Sequence, residues 1–169
     1  MQKLTTMLYK IALKKVRCVF FQNTENQQFF IDNNIAVKTQ KLIPGSGVNL
    51  EHFHELEYPP DDRNISFLFI GRIMKDKGVN ELFAAATKIK DKHPNIEFNL
   101  IGSFEEDYKD IVCNLEQKGI IKHYGMQKDV RPFIKESHAT ILPSYHEGTS
   151  NVLLESAASC RPIIASNIA

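Results

Sequence analysis

Arg72 and Lys77 stand five residues apart in Phe69-Ile70-Gly71-Arg72-Ile73-Met74-Lys75-Asp76-Lys77-Gly78, a segment that reads as a strand running through a loop into a helix. A guanidinium and an ammonium beside the N–H groups of a helix start make a site for a diphosphate. A second constellation is Ser144-Tyr145-His146-Glu147-Gly148-Thr149-Ser150-Asn151-Val152-Leu153-Leu154-Glu155. Gly148 to Asn151 are small and capping residues that open a helix, so N–H groups face outward at its positive end. Glu147 sits at the mouth of this turn, and Glu155 lies about two turns into the helix, roughly 10 Å along its axis. Carboxylates at that separation suit different hydroxyl pairs on one elongated ligand better than a shared proton. Glu155 also lies between Val152-Leu153-Leu154 and Ser156-Ala157-Ala158, where a carboxylate without partners is costly. The same residues also read as two solvated cations and as a capped amphipathic helix with a surface glutamate.

Other motifs exclude more than they suggest. Gly45-Ser46-Gly47 begins like a dinucleotide fingerprint, but Leu50 holds the third glycine position and no helical pattern follows. No phosphate-binding G-x-x-x-x-G-K-[ST] loop occurs. His52, His54 and His146 lack companions at metal-ligand spacing. Basic and aromatic residues do not interleave as in single-strand nucleic-acid binders. Cys18, Cys113 and Cys160 form neither a C-x-x-C pair nor a disulfide framework, which fits a reducing cytosol.

Short apolar runs separated by helical segments must position the two constellations. The runs are Ile65–Ile70, Ile96–Ile101, Ile120–Tyr124, Ala139–Leu142 and Pro162–Ala165, each nearly continuous in apolar character, as in strands buried on both faces of a parallel sheet. Between the first two, Val79, Leu82, Phe83, Ala86 and Ile89 form one helical stripe over Val79–Lys90, ended by His93-Pro94. Alternating elements with right-handed crossovers imply an α/β fold, a doubly wound parallel sheet in three layers. Ligands of such sheets bind beyond the carboxyl ends of the strands. Gly71-Arg72, Gly102-Ser103, Gly125-Met126, Pro143-Ser144 and Ser166-Asn167 follow the five runs directly. Residues 1–49 differ: a helical stretch, an apolar run at Val16–Phe21, a short helix around Glu25–Asn33 and an extended run at Lys41–Ile43. Residues 50–63, with Tyr58-Pro59-Pro60-Asp61-Asp62, read as a linker, and 64–169 as the main domain.

With 169 residues, 43% hydrophobic, the chain has room for one ordinary domain or two incomplete ones. Twenty-one basic residues against 20 acidic ones give a net charge of +1, so no global field draws in nucleic acid or a membrane, and an anion needs a local site. Near the N-terminus, Lys10, Lys14, Lys15 and Arg17 interrupt every apolar stretch before a signal-like core forms. These cations are expected to form a solvated helix face.

The two-glutamate spacing from Glu147 to Glu155, the preceding Ser144-x-x-Glu147-Gly148, the upstream Gly71-Arg72 with Lys77-Gly78, and Pro44-Gly45-Ser46-Gly47-Val48-Asn49-Leu50 with Phe53 occur in an order that resembles the retaining GT-B glycosyltransferases of family four (group 1). Bacterial enzymes of capsular and surface-polysaccharide assembly are the nearest in pattern. The resemblance implies that residues 64–169 are the C-terminal, donor-binding half of a GT-B fold, and that residues 1–49 are the tail end of the N-terminal acceptor domain. Arg72 and Lys77 would hold the donor diphosphate and stabilise its departure. Glu147, with the N–H groups of Gly148 and Thr149, would orient the donor sugar and its phosphate. Glu155 would accept hydrogen bonds from the ribose hydroxyls, and the Gly125-Met126-Gln127 loop would border the base, with Gly71 beside the phosphates. By the same resemblance no metal or other cofactor is expected, because two cations and a helix dipole stand in for one. The donor would be a nucleotide sugar, UDP favoured over GDP. The acceptor would be a glycan or lipid-linked glycan met in the cytoplasm at the inner membrane face, with peripheral membrane contact by the full enzyme.

Two departures from the family pattern stand out. Cys160 occupies the place where glycine usually follows the second-glutamate helix, a substitution that strains the helix end by about 1 kcal/mol if φ is positive there. The chain also reads as truncated at both ends. It holds most of the donor half and little of the acceptor half, so it is expected to bind nucleotide diphosphate without efficient turnover. The alternatives are a nucleotide-sugar epimerase or sugar phosphorylase of GT-B-like fold, although no pyridoxal-binding lysine region is identified for the latter. A third is a non-catalytic binding domain that self-associates through its N-terminal helix or its last strand.

Overall fold

A computed structural model describes residues 2–35, 37–60 and 64–168 of the chain. Asp61 and Asp62 of the linker reading, with Arg63, lie outside the described residues, as do Met1 and Ala169. The chain divides into two compact units, residues 1–47 and 48–168.

The first unit is a β-α-β turn of chain with one helix before it. Helix α1 spans Gln2–Ala12, strand β1 Val19–Phe21, helix α2 Thr24–Asp32 and strand β2 Gln40–Leu42. The side chain of Asn23 accepts a 2.8 Å bond from the Asn26 N–H, capping α2. The two strands pair in parallel, Val19 opposite Gln40. Phe21, Phe30 and Ile35 are its buried core, with Phe21 and Phe30 edge to face at 4.8 Å.

The second unit contains a five-stranded, all-parallel sheet. Its elements are β3 (Ile65–Ile70), a 3-10 turn (Lys75–Lys77), α3 (Val79–Lys92), β4 (Ile96–Ile101), α4 (Lys109–Gln117), β5 (Lys122–His123), α5 (Arg131–Lys135), β6 (Ala139–Leu142), α6 (Asn151–Ala158) and β7 (Ile163–Ala165). The spatial order is β5-β4-β3-β6-β7. The chain therefore winds outward from β3 in one direction, then returns to build the other half from β6.

Alternation along the strands feeds two cores. Phe67, Phe69, Phe98 and Leu100 pack with Leu82, Phe83 and Val112 of α3 and α4. Leu68, Ile70 and Ile101 face the opposite way, toward Ile134 of α5 and Val152 of α6. Helices thus cover both faces, which is why the strands read as unbroken apolar runs. Residues Phe53 and Leu56, which precede the sheet in sequence, pack into the second of these cores.

Two expected strands differ from the sequence reading. The run Ile120–Tyr124 yields only the two-residue β5. Gly119, at φ +66, closes α4, and the Ile120 N–H is taken by the Leu115 carbonyl at 2.9 Å, so the start of the run belongs to the helix cap. Strand β7 was expected to be buried on both faces, yet Ile163, Ile164 and Ala165 are all exposed. It is an edge strand, paired only with β6 among the described residues.

Cys160 adopts φ +56 immediately after α6, the left-handed conformation that its place in the sequence anticipated. A Cβ there costs about 1 kcal/mol. Cys160→Gly is accordingly expected to raise the melting temperature by about 2–4 °C. An unchanged or lowered value in a calorimetric scan would show that the strain is not stored there.

Candidate functional site

The loops after β3 and β6 meet where the winding of the sheet reverses, the position at which open parallel sheets leave a crevice. A cleft of about 290 Å³ lies there, lined by Ile70, Gly71, Arg72 and Lys77 from one side and by Leu142, Glu147 and the 149–152 start of α6 from the other. Its size is at the lower end for small-molecule sites.

Lys77 is placed by backbone geometry. The 3-10 turn ends at Gly78, whose φ of +68 lies in the left-handed region. A Cβ on Gly78 would stand 2.0 Å from the carbonyl oxygen of Pro143. Only glycine lets the lysine turn press against the end of β6. Two further bonds join the same loops: the Tyr145 N–H to the Asp76 carbonyl at 2.9 Å, and the Tyr145 hydroxyl to Glu81 at 2.5 Å. Across this junction the Lys77 ammonium pairs with the Glu147 carboxylate, each side chain about four-fifths buried. The buried Ser144 hydroxyl donates to the same Glu147 oxygen at 2.8 Å. Glu147 is therefore fixed from two sides.

Arg72 is more open, with a guanidinium nitrogen 3.6 Å from Glu105. Glu105 was not singled out in the sequence, although the strand register contains it. Ile65 pairs with Ile96 and Ile70 with Ile101, and the same offset continues past the strand ends in the Ile73–Phe104 bridge. Carried through the loops, that register sets Arg72 beside residues 103–105.

Helix α6 begins at Ser150, which makes no side-chain capping bond. Asn151 and Val152, in its first turn, line the cleft. Glu155 follows Asn151 by four residues on the same helical stripe, about 6 Å further along. It is half-buried, and burial pushes its carboxyl above the ordinary value while the charge of nearby His52 opposes the shift. Glu155 does not line the cleft itself. Neither do Gly148, which sits exposed between lining residues, nor Gly125 and exposed Met126.

Gly125 is tied to the cleft through backbone. Its carbonyl accepts the Gly102 N–H at 2.9 Å, and a Cβ on Gly102 would stand 1.8 Å from the Gly71 carbonyl. Gly71, Gly102 and Gly125 thus follow three adjacent strands and stand in backbone contact with one another, although only Gly71 lines the cleft. A larger cavity of about 480 Å³ lies elsewhere in this unit, between residues 52–56 and α5; His52 lines it, but Arg72, Lys77, Glu147 and Glu155 do not.

A doubly wound sheet with a polar cleft at its switch point defines the general class. Sequence comparison defines the family: residues 53–169 match Glycosyl transferases group 1, and the chain belongs to that family. It is 27% identical, across 95% of its length, to the N,N'-diacetylbacillosaminyl-diphospho-undecaprenol alpha-1,3-N-acetylgalactosaminyltransferase of Campylobacter jejuni, covering 45% of that protein. It is 30% identical, across 96% of its length, to the capsular polysaccharide biosynthesis glycosyltransferase CapM of Staphylococcus aureus, covering 46%. The chain thus spans less than half the length of these relatives. Among solved structures it resembles a variant of S. aureus TarM in complex with Fondaparinux, alpha-GlcNAc-glycerol and UDP. The TM-score is 0.77 at 20% identity, with 98% of this chain and 33% of that one covered. That likeness establishes the fold, a GT-B-type parallel sheet.

Proposed function

We propose that residues 48–168 hold the nucleotide-sugar donor of a retaining glycosyltransferase that passes a sugar to a glycan or lipid-linked glycan. The observation that carries this reading is the convergence of Arg72, Lys77, Glu147 and the start of α6 on one cleft. A diphosphate lying there meets two cations and the positive end of a helix. The same groups stabilise charge on the departing nucleoside diphosphate, with no metal in the scheme. Glu147, held by Ser144 and Lys77, faces the sugar. Glu155, one turn deeper on α6, receives the ribose hydroxyls, and the Gly125-Met126 loop borders the base. UDP is the favoured carrier, supported by its presence in the TarM complex and in a pneumococcal O-GlcNAc transferase GtfA complex. Retention belongs to the same reading, which places the full enzyme in the cytoplasm at the inner membrane face.

Calorimetric titration with UDP, GDP and ADP tests the donor site, with UDP expected to bind most tightly. Glu155→Gln is expected to weaken UDP by about tenfold or more, the loss of a charge-assisted hydrogen bond. The same variant is expected to be no less stable at neutral pH. A carboxyl whose folded pKa is raised adds stability only below its ordinary pKa and loses it as pH rises through the folded value. The melting temperature of Glu155→Gln should therefore gain on the parent as pH rises above the ordinary glutamate pKa of about 4.3. Unaltered UDP affinity in this variant would remove Glu155 from the site, and a parent chain that ignores all three nucleotides would remove the site itself.

A further inference from the structure

The loop that carries Arg72 lies against a second stretch of chain, residues 101–106. The Gly71 N–H donates to the Ile101 carbonyl at 2.9 Å, and the Ile73 N–H to the Ser103 carbonyl at 2.8 Å. Ile73 and Phe104 bridge in parallel, and the Glu105 N–H returns to the Ile73 carbonyl at 3.3 Å. The Glu105 carboxylate lies 3.6 Å from Arg72, and that of Glu106 accepts the Lys75 N–H at 3.0 Å. Both neighbours of Arg72 are therefore fixed from behind, and the guanidinium stands where that backing stretch puts it. Gly102 is the pivot, pressed so closely on Gly71 that a Cβ would stand 1.8 Å from its carbonyl oxygen. Two glycines in contact cannot interlock through side chains, so the stretch needs an anchor of its own.

His123, the last residue of β5, supplies one. Its Nε2 lies 2.8 Å from the Gly102 carbonyl oxygen. A carbonyl oxygen only accepts, so the ring carries its proton on Nε2 and donates. The bond is partly buried, where water does not freely replace a lost donor. The imidazole also rests on Phe104, with centroids 4.9 Å apart and planes tilted by 55°. His123 is itself seated by α4, since the Glu116 carboxylate accepts its N–H at 2.8 Å. Strand β5 pairs with β4 over two residues, and the imidazole adds a link beyond the end of that short ladder.

We propose that His123 is a positioning residue of the donor site, which holds Gly102 through Nε2 and so sets the stretch that aims Arg72 at the cleft. It acts through backbone, because it does not line the cleft. The inference rests on the donor-site reading and adds to it a side chain from a third strand.

Two variants separate the bond from the ring. His123→Leu keeps an apolar side chain beside Phe104 and removes the donor. His123→Gln keeps an N–H donor at the same number of bonds from Cβ. In titration calorimetry His123→Leu is expected to bind UDP about fivefold more weakly than the parent, the scale of one neutral hydrogen bond, and His123→Gln to stay within about twofold. Hydrogen exchange of the ligand-free chain gives a second readout. In His123→Leu the Gly71 and Ile73 amides are expected to exchange about fivefold faster, while amides inside β3 and β4 keep the parent's rates. A His123→Leu chain that melts lower yet binds UDP like the parent would make His123 a structural residue only and overturn the proposal. So would a His123→Gln chain as weak as His123→Leu, or unchanged exchange at Gly71 and Ile73. A parent that ignores UDP would remove the donor reading and the role of His123 in it. Faster exchange at the two amides in His123→Leu would then still show the loop held by this bond, so the two failures are read apart.

Discussion

Lys77→Ala is expected to weaken UDP binding by about one to two orders of magnitude, the range for loss of a charge-assisted hydrogen bond worth about 1.5–3 kcal/mol. Titration calorimetry reads this directly. The lysine is held on the wall of the cleft, at the end of a turn whose Gly78 backbone packs on Pro143. It already pairs with Glu147, so a bland account exists in which Lys77 only neutralises that carboxylate.

The companion variant Glu147→Gln separates the two accounts. If Lys77 contacts the diphosphate, replacing its carboxylate partner by a neutral amide leaves the ammonium uncontested, and UDP affinity holds or rises. The double variant then stays as weak toward UDP as Lys77→Ala alone. If Lys77 serves only Glu147, the double variant recovers the parent affinity, because no charge is left without its partner. That recovery would remove the lysine from the diphosphate site. Arg72 does not substitute for Lys77, because its guanidinium is more than half exposed and shared with Glu105.

The strands, their parallel sense and the buried stripe of α3 were legible because hydrophobic period is set by burial, and both faces of this sheet are covered. That Arg72, Lys77 and Glu147 share one end of the sheet was legible because each lies in the segment that follows a strand. Less could be read where tertiary contact decides. Nothing local in Gly102-Ser103-Phe104-Glu105 distinguishes Glu105 from any solvated acid, since its pairing depends on the β3–β4 register. The shortening of β5 follows from a helix cap that borrows the Ile120 N–H. Arg161 gave no signal at all in Cys160-Arg161-Pro162.

Arg161 is nevertheless where the largest loss of stability is expected. It is 3% exposed and has no carboxylate partner among the described residues. Its Nε donates to the Ile134 carbonyl at 2.9 Å, and its two terminal nitrogens reach the carbonyls of Leu56, Ser159, Cys160, Glu57 and Lys135 at 2.6–3.4 Å. Ile134 and Lys135 close α5, and Ser159 and Cys160 follow α6, so one cation caps the negative ends of two helices and ties residues 56–57 to both. Burial pulls its pKa down, but a guanidinium stays charged at any working pH. Arg161→Ala would leave buried carbonyls unsatisfied, at about 1–3 kcal/mol for each one that water cannot reach. A total near 3 kcal/mol lowers the melting temperature by about 6–12 °C in a chain of this size. Arg161→Lys should lose nearly as much, because three donors on a single nitrogen cannot serve carbonyls spread over three segments. The damage should extend to the cleft. Phe53 and Leu56, beside the tethered carbonyls, pack into the core that holds Val152 in the first turn of α6. Hydrogen exchange should therefore show residues 53–57 losing protection first, with UDP affinity falling alongside. An Arg161→Lys chain that melts within about 2 °C of the parent would show that the six contacts do not hold these segments together.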